Sequence, residues 1–114
     1  MTIYIEVTRQ DANGLLKGTF VQPWPLVRVP AGTEVQWQLL QGQPGDTFVV
    51  TFPKETPFEG IKFLTGSPQE RDAITTKPLK TQVRGDFHYE VYVANSRTGE
   101  CYGIQGCPHL NVDS

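Results

Sequence analysis

Apolar and polar residues alternate with a period of two along most of this chain, and no long stretch repeats at i, i+3, i+4 and i+7. Ile3, Ile5 and Val7 alternate with Tyr4 and Glu6, which predicts a first strand ending near Arg9. Asp11, Asn13 and Gly14 are turn residues, and a second extended piece covers Leu16 to Val21 before Pro23–Trp24–Pro25 breaks it. Leu26 to Val29 is short and apolar. The turn Pro30–Ala31–Gly32–Thr33 separates it from Glu34–Leu40, where Val35, Trp37 and Leu39 share one face and Glu34, Gln36 and Gln38 the other. Gly42, Pro44, Gly45 and Asp46 form the next turn, and Thr47–Phe52 the next strand, closed by Pro53 and Pro57.

Between Thr56 and Leu64 the side chains to bury are Phe58, Ile61 and Phe63. Ser67–Pro68–Gln69–Glu70 has the form of a helix start: a capping serine, proline at the first helical position, and a glutamate that can reach back to the cap. One short helix is therefore expected between Ser67 and Ala73. Leu79 to Val83 reads as a strand, and Gly85 opens a strongly alternating strand from Phe87 to Ala94. The loop Asn95–Gly99 leads into a tail that holds Cys101, Cys107 and His109. Seven or eight short strands joined by glycine and proline turns predict an all-β fold, an antiparallel Greek-key sandwich in preference to a barrel because several strands have a clear polar face. Its core should be Ile3, Ile5, Val35, Trp37, Leu39, Val50, Phe52, Phe87, Tyr89, Val91 and Val93.

Length places residues 1–114 in a single domain with one core. Ten basic and twelve acidic residues are spread along the chain, so no basic stripe points to nucleic acid. No apolar run approaches the roughly 20 residues that a membrane-spanning helix needs. The start, MTIYIEVTRQ, lacks the basic and apolar regions of a signal peptide, so as written the chain reads as cytoplasmic. If a leader has been removed, the compartment becomes periplasmic or extracellular. Two cysteines are too few for a disulfide framework; Cys101 and Cys107 form either one bridge around a small loop or two thiols.

Three segments together resemble the cupredoxin-like fold of blue copper proteins. Val27–Leu39 is similar to the stretch in which cupredoxins place a proline–alanine–glycine turn before a tryptophan-bearing strand. Thr47–Pro53 matches the strand that follows, and Gly85–Val93 the glycine-led aromatic strand before the metal loop. The resemblance implies the fold but not the copper chemistry. The matched Thr47–Pro53 segment has no histidine, Val91 stands where the ligand cysteine would fall, and the only methionine is Met1. The ending Cys107–Asp113 is similar to the closing edge strand of cupredoxin-like proteins without copper.

The expected function is a non-catalytic binding module without bound metal or other cofactor, directed at an unidentified protein or small ligand. The alternative is a copper-binding electron-transfer protein with a rearranged site at Cys107, His109 and His88, since type 1 copper takes two imidazoles and a thiolate. By alternation His88 lies opposite Phe87 and Tyr89, facing solvent or a neighbouring edge, so that site requires His88 to approach the tail. Zinc on Cys101, Cys107, His109 and His88 is a further candidate, although five residues separate the cysteines where structural sites use two to four. A Cys107–His109 nucleophile with Asp113 nearby lacks a glycine-rich elbow. Arg84–Gly85–Asp86 matches the integrin-binding tripeptide, but its glycine already has a turn to make. Trp24, Tyr4, Tyr92 and Tyr102 would form an aromatic binding surface if one sheet face gathered them.

Overall fold

The computed structural model describes residues 1–8, 11–12, 15–16, 20–23, 26–40, 44–68, 74–99, 101–104 and 107–113; for 7–8, 11–12, 15–16, 20–23, 68 and 102–104 it describes the backbone alone. The strands are β1 (Thr2–Thr8), β2 (Asp11–Ala12), β3 (Leu15–Leu16), β4 (Phe20–Pro23), β5 (Leu26–Pro30), β6 (Glu34–Leu40) and β7 (Asp46–Thr51). There follow β8 (Phe63–Pro68), β9 (Ile74–Thr75), β10 (Leu79–Lys80), β11 (Gly85–His88), β12 (Glu90–Asn95), β13 (Cys101–Ile104) and β14 (His109–Asp113). The fold is all-β, and no helix occurs among the described residues, so none there could cross a membrane.

The larger sheet runs β1-β4-β13-β12-β7-β8-β9-β6-β10, and a further β1–β6 pairing closes eight of these strands into a ring. The smaller sheet is β11-β14-β5, and β2 and β3 form a separate hairpin. The expectation of purely antiparallel pairing is corrected: β1–β6, β4–β13 and β5–β14 are parallel ladders. Alternation specifies which side chains share a face; it carries no information on strand direction.

All of the predicted core residues are buried, and Val27, Val29, Phe48, Phe58, Leu64, Ile74, Leu110 and Val112 join them in one cluster. Both sheets contribute, so the apolar face of β11-β14-β5 closes over the interior of the ring. The Pro30–Thr33 turn forms as expected, with Thr33 N–H donating to the Pro30 carbonyl at 3.3 Å. Gly32 takes φ +89°, the left-handed position that a type II turn reserves for glycine.

Three expectations are corrected. Ser67 and Pro68 end strand β8, where they pair with Thr75 and Ile74 of β9, so the helix expected from Ser67 does not start there; 69–73 lie outside the described residues. A capping signature is a local preference, and a ladder partner overrides it. Of the apolar residues between Thr56 and Leu64, Phe58 is buried, whereas Ile61 and Phe63 are 39% and 66% exposed. Finally, β14 is no edge strand: it lies between β11 and β5.

The long strand expected from Phe87 to Ala94 is divided at Tyr89. Residues Gly85–His88 belong to the small sheet and Glu90–Asn95 to the ring, where β12 pairs with β7 and β13. Tyr89, at the crossing, donates its backbone N–H to the Pro108 carbonyl at 3.1 Å. Its ring packs 5.4 Å from Trp37 and 5.5 Å from Phe52. Burial pushes the Tyr89 phenol up to about 12, with a small opposing contribution from the Trp37 indole. An unfolded tyrosine ionises near pH 10. The neutral buried phenol therefore stabilises the fold fully below pH 10, and this contribution, at most about 3 kcal/mol, is lost as pH rises towards 12. Tyr89→Phe is expected to move the alkaline unfolding midpoint upwards, measured by circular dichroism between pH 9 and 12. An unchanged midpoint would contradict this.

Candidate metal centre

Strand β11 runs antiparallel to β14 with His88 opposite His109, Phe87 opposite Leu110 and Asp86 opposite Asn111. Phe87 and Leu110 point into the core, being 2% and 0% exposed. Alternation then turns Asp86, His88, His109 and Asn111 to the outer face. The rigid ladder beneath positions them without any loop. The His88 and His109 rings lie with centroids 3.8 Å apart. Asp86 Oδ2 stands 3.0 Å from His109 Nδ1 and 3.8 Å from His88 Nε2. One donor atom from each of Asp86, His88 and His109 lies within 4.8 Å of the others.

These distances suit a metal ion. With metal–nitrogen bonds of about 2.0 to 2.1 Å, neighbouring donors in a tetrahedral set are about 3.4 Å apart. The observed 3.0 and 3.8 Å straddle that value, and small side-chain rotations would equalise them. The hydrogen bond with His109 is the main reason that the Asp86 carboxyl falls below its ordinary range. Slight desolvation opposes the shift, while the charge of His109, a hydrogen bond with Asn111 and the charge of His88 add to it. Asp86 is thus an anion at neutral pH. The side chains of His88, Asp86 and His109 are 59%, 44% and 31% exposed, so solvent or an external ligand has access to the remaining coordination positions. Two surface grooves lie elsewhere, one along Phe48, Gly66 and Tyr92 and one along Ile61, Phe63 and Leu79.

Of the residues singled out from sequence, His88 and His109 are brought together. Cys107 and Cys101 are exposed thiols with no bridge between them, and neither belongs to the cluster. Cys101 pairs with Ala94 in the ladder of β13 with β12, on the other sheet. Val91 is wholly buried among core side chains. The aromatic residues are dispersed. Tyr4 and Tyr92 belong to β1 and β12, which β4 and β13 separate. Trp24 lies outside the described residues, as does the side chain of Tyr102. Arg84–Gly85–Asp86 stands at the start of β11, with its carboxylate engaged by His109 rather than presented alone.

Asp86 is the residue that sequence reasoning missed as a donor. Its signal was present: Asp86 and His88 flank the apolar Phe87 and so share a face. No protein-family model matches the chain, and no curated protein sequence matches it.

Proposed function

We propose that this protein binds a divalent transition-metal ion on the outer face of its small sheet, through His88, His109 and Asp86. The convergence of two imidazoles on one carboxylate oxygen, at 3.0 and 3.8 Å, carries this reading. The site lies on the outer face of paired strands with its donors partly exposed, an arrangement suited to holding an ion. A cupredoxin-like sandwich as the scaffold is part of the proposal. It is supported by the proline–alanine–glycine turn before a buried tryptophan strand and by the glycine-led strand that follows later in the chain.

Calorimetric titration with Zn(II) should give one equivalent bound. Asp86→Asn and His109→Ala should each weaken binding by about tenfold or more, since each removes a donor or its orienting partner. Zn(II) at 100 times its dissociation constant should add about 2.7 kcal/mol to the stability of the native protein, read as a rise in melting temperature. No heat of binding, or identical titrations for the native protein and both variants, would refute the proposal.

A further inference from the structure

We infer that this site selects copper as Cu(II), over both Zn(II) and Cu(I), and holds it as a static ion rather than as an electron carrier. The inference rests on the metal-binding reading above and goes on to name the ion and its oxidation state. The donors are two imidazole nitrogens and one carboxylate oxygen, and no sulfur belongs to the cluster. Nitrogen and oxygen donors without sulfur suit a borderline divalent ion, and along the divalent series Cu(II) binds such sets more tightly than Zn(II). Cu(I) is soft and favours thiolate and thioether, which the cluster lacks. The anionic Asp86 further favours a doubly charged ion over a singly charged one.

Geometry points the same way. A Cu(II) ion prefers a tetragonal arrangement with waters in the remaining positions. The outer face leaves room for those waters, because His88 is 59% exposed and Asp86 44%. Reduction to Cu(I) would favour fewer and softer ligands. Here the two imidazoles project from directly opposed residues of one ladder, so the backbone keeps both histidines beside the ion. Cys107 precedes His109 by two positions, with buried Pro108 between them, so it shares the outer face at its margin. It stands outside the cluster and is expected to take no part.

The test uses the intact chain and a Cys101→Ser/Cys107→Ser variant, each titrated anaerobically with Cu(II), with Zn(II), and with Cu(I) against a bicinchoninate competitor. The electron paramagnetic resonance spectrum of the Cu(II) complex should be axial, with splitting from two nitrogens, and the same in both proteins. Cu(II) should displace Zn(II) with roughly tenfold or greater preference. Cu(I) should pass to the competitor. His88→Ala and His109→Ala should each remove one nitrogen from the splitting pattern, a change that a merely structural role would not produce. An intense thiolate-to-copper absorption in the native protein that vanishes in the cysteine variant would overturn the inference, as would retention of Cu(I) as tight as that of Cu(II). Equal binding of Zn(II) and Cu(II) would overturn the selectivity and leave metal binding intact, whereas failure of every ion to bind would remove both.

Discussion

Replacing Trp37 with alanine is expected to destabilise the fold by about 4 kcal/mol, the largest effect of any single substitution proposed for this chain. Trp37 is 0% exposed and lies on β6, which pairs with β1 on one side and with β9 and β10 on the other. Its indole meets Phe52, Phe58 and Tyr89 edge-on, with centroids 6.1, 6.2 and 5.4 Å away. Alanine would leave an indole-sized void that paired strands on both sides prevent from collapsing. The backbone of Trp37 is also fastened to Thr76: its N–H donates to the threonine hydroxyl at 2.9 Å, and its carbonyl accepts from the Thr76 N–H at 2.9 Å. Those bonds survive the substitution, so the loss measured is that of the side chain.

Trp37→Phe should cost much less, about 1 to 2 kcal/mol, for a reason beyond size. Among the described residues the Trp37 indole N–H is the one buried side-chain polar group without a hydrogen-bond partner. The indole acts on the Tyr89 phenol as a hydrogen-bonding neighbour that opposes the upward push of burial, but the contact falls short of full hydrogen-bond geometry. A buried donor left unmade costs about 1 to 3 kcal/mol. Phenylalanine removes that donor while keeping most of the ring. Urea unfolding followed by circular dichroism would separate the two variants. Equal losses for phenylalanine and alanine would mean that the unpaired N–H carries no penalty.

Gly66→Ala should cost about 3 kcal/mol, an unusual result for so small an addition. Gly66 and Phe48 are direct partners across the β7–β8 ladder, and the phenyl ring lies over the glycine. A Cβ at Gly66 would fall inside the van der Waals radii of three Phe48 ring carbons. The backbone there does not need glycine, since φ is not in the left-handed region; the space does. Phe48 is 3% exposed and packed in the core, so moving its ring off residue 66 disturbs its other contacts. Combining Gly66→Ala with Phe48→Leu should recover part of the loss, because a shorter side chain vacates the space above residue 66. Additive losses in the double variant would show that the clash is not the cause.

What was legible in the chain follows from the period of two. Every residue assigned to the core from alternation is buried, and Gly32 occupies the one position of its turn that demands a positive φ. The outward orientation of His88 was equally legible, because its neighbours Phe87 and Tyr89 are apolar. Asp86 obeys the same rule two residues earlier. These are properties of a strand's own faces, decided by local geometry and by the transfer of apolar surface from water.

Tertiary structure alone decided which strands meet. The 85–95 segment alternates without interruption, and nothing in it marks the crossing at Tyr89 between the two sheets. The tail strand β14 has the composition of an edge but is central, because parallel pairing with β5 covers its second side. Ser67 and Pro68 carry a helix signature and end a strand instead. In each case the outcome depends on hydrogen-bond partners outside the segment itself, and alternation is silent about partners. The proposed metal site is the clearest instance. The sequence by itself determined that His88 faces outwards; the ladder of β11 with β14 placed His109 beside it and brought Asp86, rather than Cys107, into the cluster.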